Sequence, residues 1–242
     1  MQRVFIISLL LTSLLIAIPA ATCAPSVEDY RETSEKKWAK AMAEFDKRNA
    51  SEEHSPNALL FAGSSSIRLW KTIAEDMAPY ETIQRGFGGS EWSDVAVHAD
   101  RLIKPHEFRA AVFFVANDIR GRDGEGIEAD KTPEEVAALV KFVREKVRHH
   151  RPKATVFVVA VTPTESRSSC WEEIQKGNEL VRQYCEGEEA THFIKTADLY
   201  LDDDRKPRSE LFQKDKLHLN RDGYRLWGKT IRAALDAVLS KK

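Results

Sequence analysis

The feature that most constrains the fold of this chain is a set of short runs in which apolar residues occupy both odd and even positions. The two longest are AAVFFVA at 110–116 and TVFVVAV at 155–161. A strand with this pattern is buried on both faces, as in parallel sheets that carry helices on both sides. Together with three shorter runs, they are predicted as strands at 58–62, 82–84, 110–116, 155–161 and 192–194.

Amphipathic stretches separate these runs and predict the helices. They lie at 91–103, 133–149, 171–186 and 221–239. This alternation predicts an α/β fold of three layers (α/β/α), a doubly wound parallel sheet of about five strands. Two charge-rich segments, 121–131 and 201–209, are expected to be solvated loops.

The first 24 residues have a composition unlike the rest of the chain. Arg3 precedes an uncharged run at 4–18, and small residues follow at 20–24. This pattern is typical of a secretory signal peptide, whereas a membrane span usually needs about 20 apolar residues. We therefore expect residues 1–24 to be cleaved, leaving no stable membrane span, and the protein to be periplasmic or extracellular. An uncleaved anchor and lipid attachment at Cys23 are the less favoured alternatives.

The remaining chain is expected to form one domain with a helical extension in front of it. Residues 25–56 are charged and helix-prone, and Trp38, Met42 and Phe45 form a stripe at helical spacing that can pack on the domain at 57–242. Cys170 and Cys185 lie at the two ends of one predicted helix. Fifteen helical residues separate such ends by roughly 22 Å. That separation is too great for a disulfide, so we predict two free thiols.

Charge and composition exclude some classes of function. Lys and Arg total 37 against 38 for Asp and Glu, so there is no basic excess that would bind nucleic acid. The aspartates at 202–204 lack the spacing of a calcium loop, and the adjacent His149 and His150 cannot both face one metal ion. No metal and no cofactor are therefore predicted.

Candidate functional residues follow the predicted strands, where ligands bind in open α/β sheets. After the first strand, Ser65 lies in the sequence GSSS, which is compatible with either a helix cap or a nucleophile. After the second, RGFGGS places Gly89 in a loop that forms either a tight turn or an anion-binding backbone. The match to the dinucleotide-binding fingerprint is weak, because the third glycine is missing and the motif follows the second strand rather than the first.

Two further groups complete the set of polar residues. Asn117 and Asp118 follow the third strand, where an Asx turn is the ordinary alternative. Asp215 and His218 are three residues apart before the last helix, so the carboxylate could reach one imidazole nitrogen while the other faces a nucleophile. A capping aspartate beside a solvated histidine is the alternative there.

In this order, the blocks resemble those of the SGNH/GDSL hydrolase superfamily over about residues 57–239. The resemblance makes Ser65 the nucleophile, with Asp215 and His218 completing a catalytic triad. The phrases FAGSSSIRLW and QRGFGGS are most similar to a bacterial subgroup described as platelet-activating-factor acetylhydrolase-like or GDSL-like lipase/acylhydrolase. Ser64 stands where the family has aspartate, and Val115 where its third block has glycine.

The resemblance implies a serine esterase that acts through an acyl-enzyme on small-molecule or carbohydrate esters. The predicted export and the polar composition favour short acetyl esters on extracellular carbohydrate. Its oxyanion hole would consist of the N–H groups of Ser65 and Gly89 and the side-chain amide of Asn117. Two alternatives stay open: an acyltransferase that passes an acetyl group to a carbohydrate on the same scaffold, and a non-catalytic protein that binds an anion or a carbohydrate.

Overall fold

A parallel sheet forms the centre of the molecule, and it confirms the predicted fold class. A computed structural model describes residues 26–124 and 126–240, so the predicted signal peptide and Cys23 lie outside the described residues. The sheet order is β2-β1-β3-β4-β5, with every pair parallel. Its strands are β1 Leu59–Gly63, β2 Thr82–Gly86, β3 Ala110–Phe114, β4 Thr155–Val159 and β5 Thr191–Ile194.

Helices cover both faces of this sheet. In the described part of the chain they are α1 Arg31–Ser51, α2 Ser65–Leu69, α3 Ile73–Asp76, α4 Trp92–Val97, α5 Ala99–Ile103, α6 Pro133–His150, α7 Trp171–Gly187 and α8 Arg221–Leu239. The prediction of a single helix at 91–103 is wrong, because two short helices, α4 and α5, occupy this segment. It is divided at His98, whose backbone angles of φ −94° and ψ 8° interrupt the helix. No described helix is both long and apolar enough to cross a membrane.

Alternate residues of the buried strands pack into two separate cores, which explains why the strand runs are apolar at both parities. In β1, Leu60 and Ala62 pack on one face with α1 and α4 to α7. Leu59 and Phe61 pack on the other face with α2, α3 and α8. Each strand of this kind therefore contributes to both hydrophobic layers, as in other doubly wound sheets.

The N-terminal helix α1 packs against the sheet domain through the predicted stripe. Met42 and Phe45 are buried, and Trp38 makes an edge-to-face contact with Phe87 at 5.0 Å between ring centroids. The Ser34 hydroxyl also donates a hydrogen bond to Asp94. The boundary between extension and domain near residue 56 stays a prediction.

Both cysteines of the described chain are buried free thiols, as predicted. Cys170 immediately precedes α7 and Cys185 lies in its last turn. Burial raises the pKa of the Cys185 thiol to about 12, so this group stays protonated and unreactive at neutral pH.

An ion pair between a buried arginine and a half-buried glutamate joins the end of α1 to strand β2. The guanidinium of Arg85 is fully buried and donates hydrogen bonds to Glu52 at 2.7 Å and to Asn49 at 2.8 Å. Burial alone would raise the pKa of Glu52, but the hydrogen bonds from Arg48 and Arg85 outweigh it and lower that pKa from 4.5 to about 2. The carboxylate therefore stays charged well into the acid range.

We predict that Glu52→Gln lowers the free energy of unfolding by about 3 kcal/mol at pH 7, because a buried guanidinium loses its charged partner. Urea unfolding measures the difference, and Glu53→Gln, at an exposed neighbour, is the matched control. Since the Glu52 pKa is depressed on folding, its contribution is complete above pH 4.5 and disappears as the pH falls through about 2. Equal stability of the two variants at pH 7 would contradict the prediction.

Candidate active site

Ser65 begins helix α2 directly beyond the carboxyl end of β1. Gly63 has a φ of 135°, and a Cβ atom there would lie 2.0 Å from the carbonyl oxygen of Phe114, so only glycine lets the chain pass. Ser64 occupies the N-cap position but its side chain makes no capping hydrogen bond. The Ser65 hydroxyl is not used as a cap either; it lies 3.0 Å from Nε2 of His218.

The loop before α8 places Asp215 and His218 against each other. Lys216 adopts the left-handed region with a φ of 56°, and this turn lets the N–H groups of Leu217 and His218 both donate to Oδ1 of Asp215 at 3.0 Å. The second carboxylate oxygen, Oδ2, lies 2.7 Å from Nδ1 of the imidazole. Because a carboxylate only accepts, Nδ1 carries the proton and Nε2 is free to accept one from Ser65.

Hydrogen bonds keep the Asp215 carboxyl in its charged form. Burial raises its pKa, but the imidazole of His218 and the two N–H donors outweigh this effect and hold the pKa below its usual value. Asp215 therefore carries a negative charge at neutral pH and can hold the imidazole in one orientation.

Contacts on both sides fix this loop relative to the nucleophile. Phe212 and Leu219 form an antiparallel bridge beneath it, and Asn220 caps α8 by accepting from the N–H groups of residues 222 and 223. Tyr224 on α8 donates its hydroxyl hydrogen to the carbonyl oxygen of Ser66, 2.9 Å away. The start of α8 is thus tied to the start of α2.

Asn117 follows β3 and lines the same cavity as Ser65 and His218. Its side chain is buried, with Nδ2 donating to the carbonyl oxygen of Ser90 at 2.9 Å. Its Oδ1 accepts a hydrogen bond from Arg167 at 2.7 Å. Valine in place of the family's glycine at 115 therefore does not move this amide away from the cavity.

Of the residues predicted for the triad and the oxyanion hole, Gly89 and Asp215 do not line this cavity. Gly89 has a φ of 89°, in the region that favours glycine, and it precedes Ser90, the residue whose carbonyl accepts from Asn117. The glycine loop is also joined to β1, since Phe87 N–H donates to the carbonyl oxygen of Gly63 at 2.9 Å. The glycine loop is therefore hydrogen-bonded both to Asn117 and to the end of β1, next to Ser65.

Asp118 lies behind the cavity and anchors the adjacent loops. Its carboxylate accepts from the N–H of Trp92 at 2.9 Å and lies 3.8 Å from Nζ of Lys131. Burial raises the pKa of this carboxyl, and the ammonium of Lys131 opposes the rise. The prediction that 121–131 is a solvated loop is wrong at its end, because Lys131 is buried between Asp118 and Glu91.

The cavity has a volume of about 20 Å³. Its walls are Ser64, Ser65, Ser66, Phe114, Ala116, Asn117, Thr162, Thr164, Arg167, Leu217, His218 and Leu219. Within residues 26–124 and 126–240, no group of three or more His, Cys, Asp or Glu side chains could hold a metal ion.

The three polar wall residues that follow β4 were not predicted from the sequence. Thr162, Thr164 and Arg167 are all buried, and the Thr162 hydroxyl has no hydrogen-bond partner within the described residues. The signal that could have found them was available, because the rule that drew attention to the ends of β1, β2 and β3 applies equally to β4.

Solved structures with the same fold include several esterases and lipases. A protein from Streptococcus pneumonia, provisionally described as a platelet activating factor, superposes with a TM-score of 0.71 at 17% identity, covering 86% of this chain and 96% of that one. A GDSL-like lipase from Bacteroides thetaiotaomicron gives 0.61 at 15% identity, with coverages of 81% and 97%. The acetyl xylan esterase AlAXEase gives 0.62 at 18% identity, with coverages of 74% and 99%.

At sequence identities of 15–18%, these superpositions show only that the folds are the same. The family of this chain is shown by a match to its sequence. No curated protein has a sequence that matches this chain significantly. Residues 60–226, more than half of the chain, match the GDSL-like lipase/acylhydrolase family. The chain therefore belongs to the GDSL-like lipase/acylhydrolase family of ester-bond hydrolases.

Proposed function

We propose that this protein is a serine esterase that hydrolyses short-chain carboxylic esters, acetyl esters above all, through an acyl-enzyme on Ser65. The observation that carries the proposal is the hydrogen-bonded series from Ser65 to His218, 3.0 Å, and from His218 to Asp215, 2.7 Å. Nucleophile, base and orienting carboxylate are thus within reach of one another without any rearrangement.

In the proposed reaction, His218 removes the proton of the Ser65 hydroxyl as its oxygen attacks the ester carbonyl. Asp215 holds the imidazole and stabilises the imidazolium that forms. His218 then protonates the leaving alcohol, which departs and leaves the acyl group on Ser65. Water, activated by the same imidazole, attacks the acyl-enzyme and releases the acid.

Negative charge on the tetrahedral oxygen needs hydrogen-bond donors. We assign this role to the N–H groups of Ser65 and Gly89 and to the side-chain amide of Asn117. The Asn117 amide uses one of its two hydrogens for the Ser90 carbonyl, and the second is available to the cavity.

The size of the cavity supports a small acyl group. A volume of about 20 Å³ holds one or two water-sized groups, which suits an acetyl rather than a long chain. A second cavity shares Ala116 and has mostly apolar walls, and at about 30 Å³ it is also small.

The alcohol part of the substrate is proposed to be a carbohydrate. A groove of about 280 Å³ opens at the carboxyl ends of β4 and β5, where the half-buried Trp171 lies beside Gln175 and Arg182. An aromatic ring flanked by polar groups suits a sugar ring. The likeness in fold to an acetyl xylan esterase is consistent with this assignment. Export through the predicted signal peptide at 1–24 would bring the enzyme to extracellular glycans.

Three measurements test this proposal. A series of p-nitrophenyl esters should show kcat/KM highest for acetate and falling steeply with chain length; equal turnover of long-chain esters would contradict the acyl assignment. A fluorophosphonate should label Ser65, whereas absence of labelling would favour a non-catalytic binding protein. Product analysis with an added sugar acceptor should yield free acid, and acetylated sugar as the main product would identify a transferase.

Asn117→Ala is expected to lower kcat for p-nitrophenyl acetate by about 100-fold or more, because one oxyanion donor is lost. KM should change little, since this donor acts on charge that develops only in the transition state. The matched control is Asn57→Ala, at an exposed position before β1. An unchanged kcat in a folded Asn117→Ala enzyme would remove this amide from the oxyanion hole.

A further inference from the structure

Arg167 is a buried cation in the wall of the candidate active site. It belongs to the turn after β4, where its backbone angles of φ −124° and ψ 18° interrupt the 3₁₀ helix Glu165–Cys170. Only 6% of the residue is exposed. Burial lowers the pKa of its guanidinium to about 10, so the group remains charged at neutral pH.

The hydrogen bonds of this cation go to neutral acceptors in the loop that carries Asn117. Nη2 donates to Oδ1 of Asn117 at 2.7 Å, and Nη1 donates to the carbonyl oxygen of Ala116. In the described part of the chain, Arg167 forms no ion pair with a carboxylate. A buried charge that no carboxylate contacts directly is costly, and such a cost is usually found where the charge has a function.

These contacts determine which way the amide of Asn117 points. An amide can be turned over so that its oxygen and nitrogen exchange places, but a guanidinium can only donate and the carbonyl of Ser90 can only accept. Turning the amide over would place its NH₂ group against the guanidinium of Arg167, so that donor faces donor. It would also place its oxygen against the carbonyl oxygen of Ser90, so that acceptor faces acceptor. Arg167 and Ser90 together therefore hold Oδ1 on one side and Nδ2 on the other.

We infer that Arg167 is a positioning residue of the oxyanion hole. It holds Asn117 in the orientation that presents an N–H to the cavity, and its charge polarises that amide so that the N–H is a stronger donor. Arg167 acts through Asn117 rather than through direct contact with the substrate. This inference rests on the esterase function proposed above.

A double-mutant cycle on p-nitrophenyl acetate hydrolysis tests the inference, with Arg167→Met, Asn117→Ala and the double variant. Arg167→Met should lower kcat by about 10- to 100-fold, a part of the loss expected for removing the donor itself, with KM within about threefold. In the Asn117→Ala background, the same substitution should lower kcat by less than about threefold, because the amide through which it acts is gone.

Arg167→Lys provides a second cycle, which decides the question should the methionine variant not fold. Lysine keeps the charge but is a compact donor that cannot hold Ala116 and Asn117 together, so an intermediate loss of kcat is expected, again only when Asn117 is present. Thermal unfolding and circular dichroism establish that each variant is folded. Arg31→Met, an exposed arginine on α1, is the matched control and should leave kcat unchanged.

Several results would overturn the inference. Equal losses in both backgrounds, or a loss confined to KM, would mean that Arg167 contacts the substrate or acts on the fold as a whole. An unchanged kcat in the folded Arg167 variants would mean that it does not act on catalysis. The same assay also measures hydrolysis by the wild type and by Ser65→Ala. Wild-type activity that depends on Ser65 shows that a failure of the inference is separate from a failure of the proposed function. If the wild type has no such activity, the proposed esterase function and the inference about Arg167 are both wrong.

Discussion

Replacing Ser65 with alanine is expected to lower kcat/KM for p-nitrophenyl acetate by about 10,000-fold or more. The substitution removes the hydroxyl oxygen that we propose forms the acyl-enzyme, while the Cβ atom and the start of α2 stay in place. Because the Ser65 hydroxyl hydrogen-bonds to the imidazole of His218 rather than capping α2, we expect the melting temperature to change by no more than a few degrees. Stopped assays for released acetate measure the loss, and fluorophosphonate labelling should disappear with it.

The control for this substitution is Ser51→Ala, at an exposed position in the last turn of α1. It should retain full activity and full labelling after the same purification, which excludes a contaminating esterase. Hydrolysis by purified Ser65→Ala at more than about one hundredth of the wild-type rate would reject Ser65 as the nucleophile.

Replacing His218 with alanine is expected to cause a loss of the same order. Without the imidazole, the Ser65 hydroxyl loses the one base that lies within hydrogen-bond distance of it among the described residues, and the leaving alcohol loses its proposed proton donor. His149→Ala, at an exposed position on α6, is the matched control and should keep wild-type kcat.

The double variant of Ser65 and His218 distinguishes a catalytic unit from two independent effects. If the two residues act together, the double substitution should be no slower than the slower single variant by more than about threefold. Losses that multiply would instead mean that each residue acts separately. That result would disprove the triad even if both single variants were inactive.

Local sequence patterns were sufficient to predict the layers of the fold. Because the side-chain direction alternates along a strand, apolar residues at both parities in 110–116 already require burial on both faces. The ends of these strands were less predictable. Strand β3 ends at Phe114, and the next residue, Val115, is buried without belonging to the strand. Burial persists beyond the ladder of hydrogen bonds, so hydropathy alone places the end too late.

Burial was predicted correctly from the sequence in helix α1 but incorrectly at the end of the loop at 121–131. The stripe at Met42 and Phe45 was correctly predicted to pack, because helical spacing puts both on one face. Lys131 was assigned to a solvated loop on its charge, yet it is buried against Asp118 and Glu91. Lys131 can be buried because two carboxylates lie against its ammonium group, and both come from other parts of the chain.

By itself, the sequence determined the parallel sheet, the residues that follow its strands and the local pair of Asp215 and His218. Each depends on neighbours within a few positions, through side-chain alternation or the reach of one short loop. Only the tertiary structure decided that the hydroxyl of Ser65 lies 3.0 Å from an imidazole 153 residues away, and that Arg167 lies behind Asn117. These contacts depend on the order of the strands in the sheet and on how the loops after them pack together. The spacing of apolar residues along one strand or helix does not specify either.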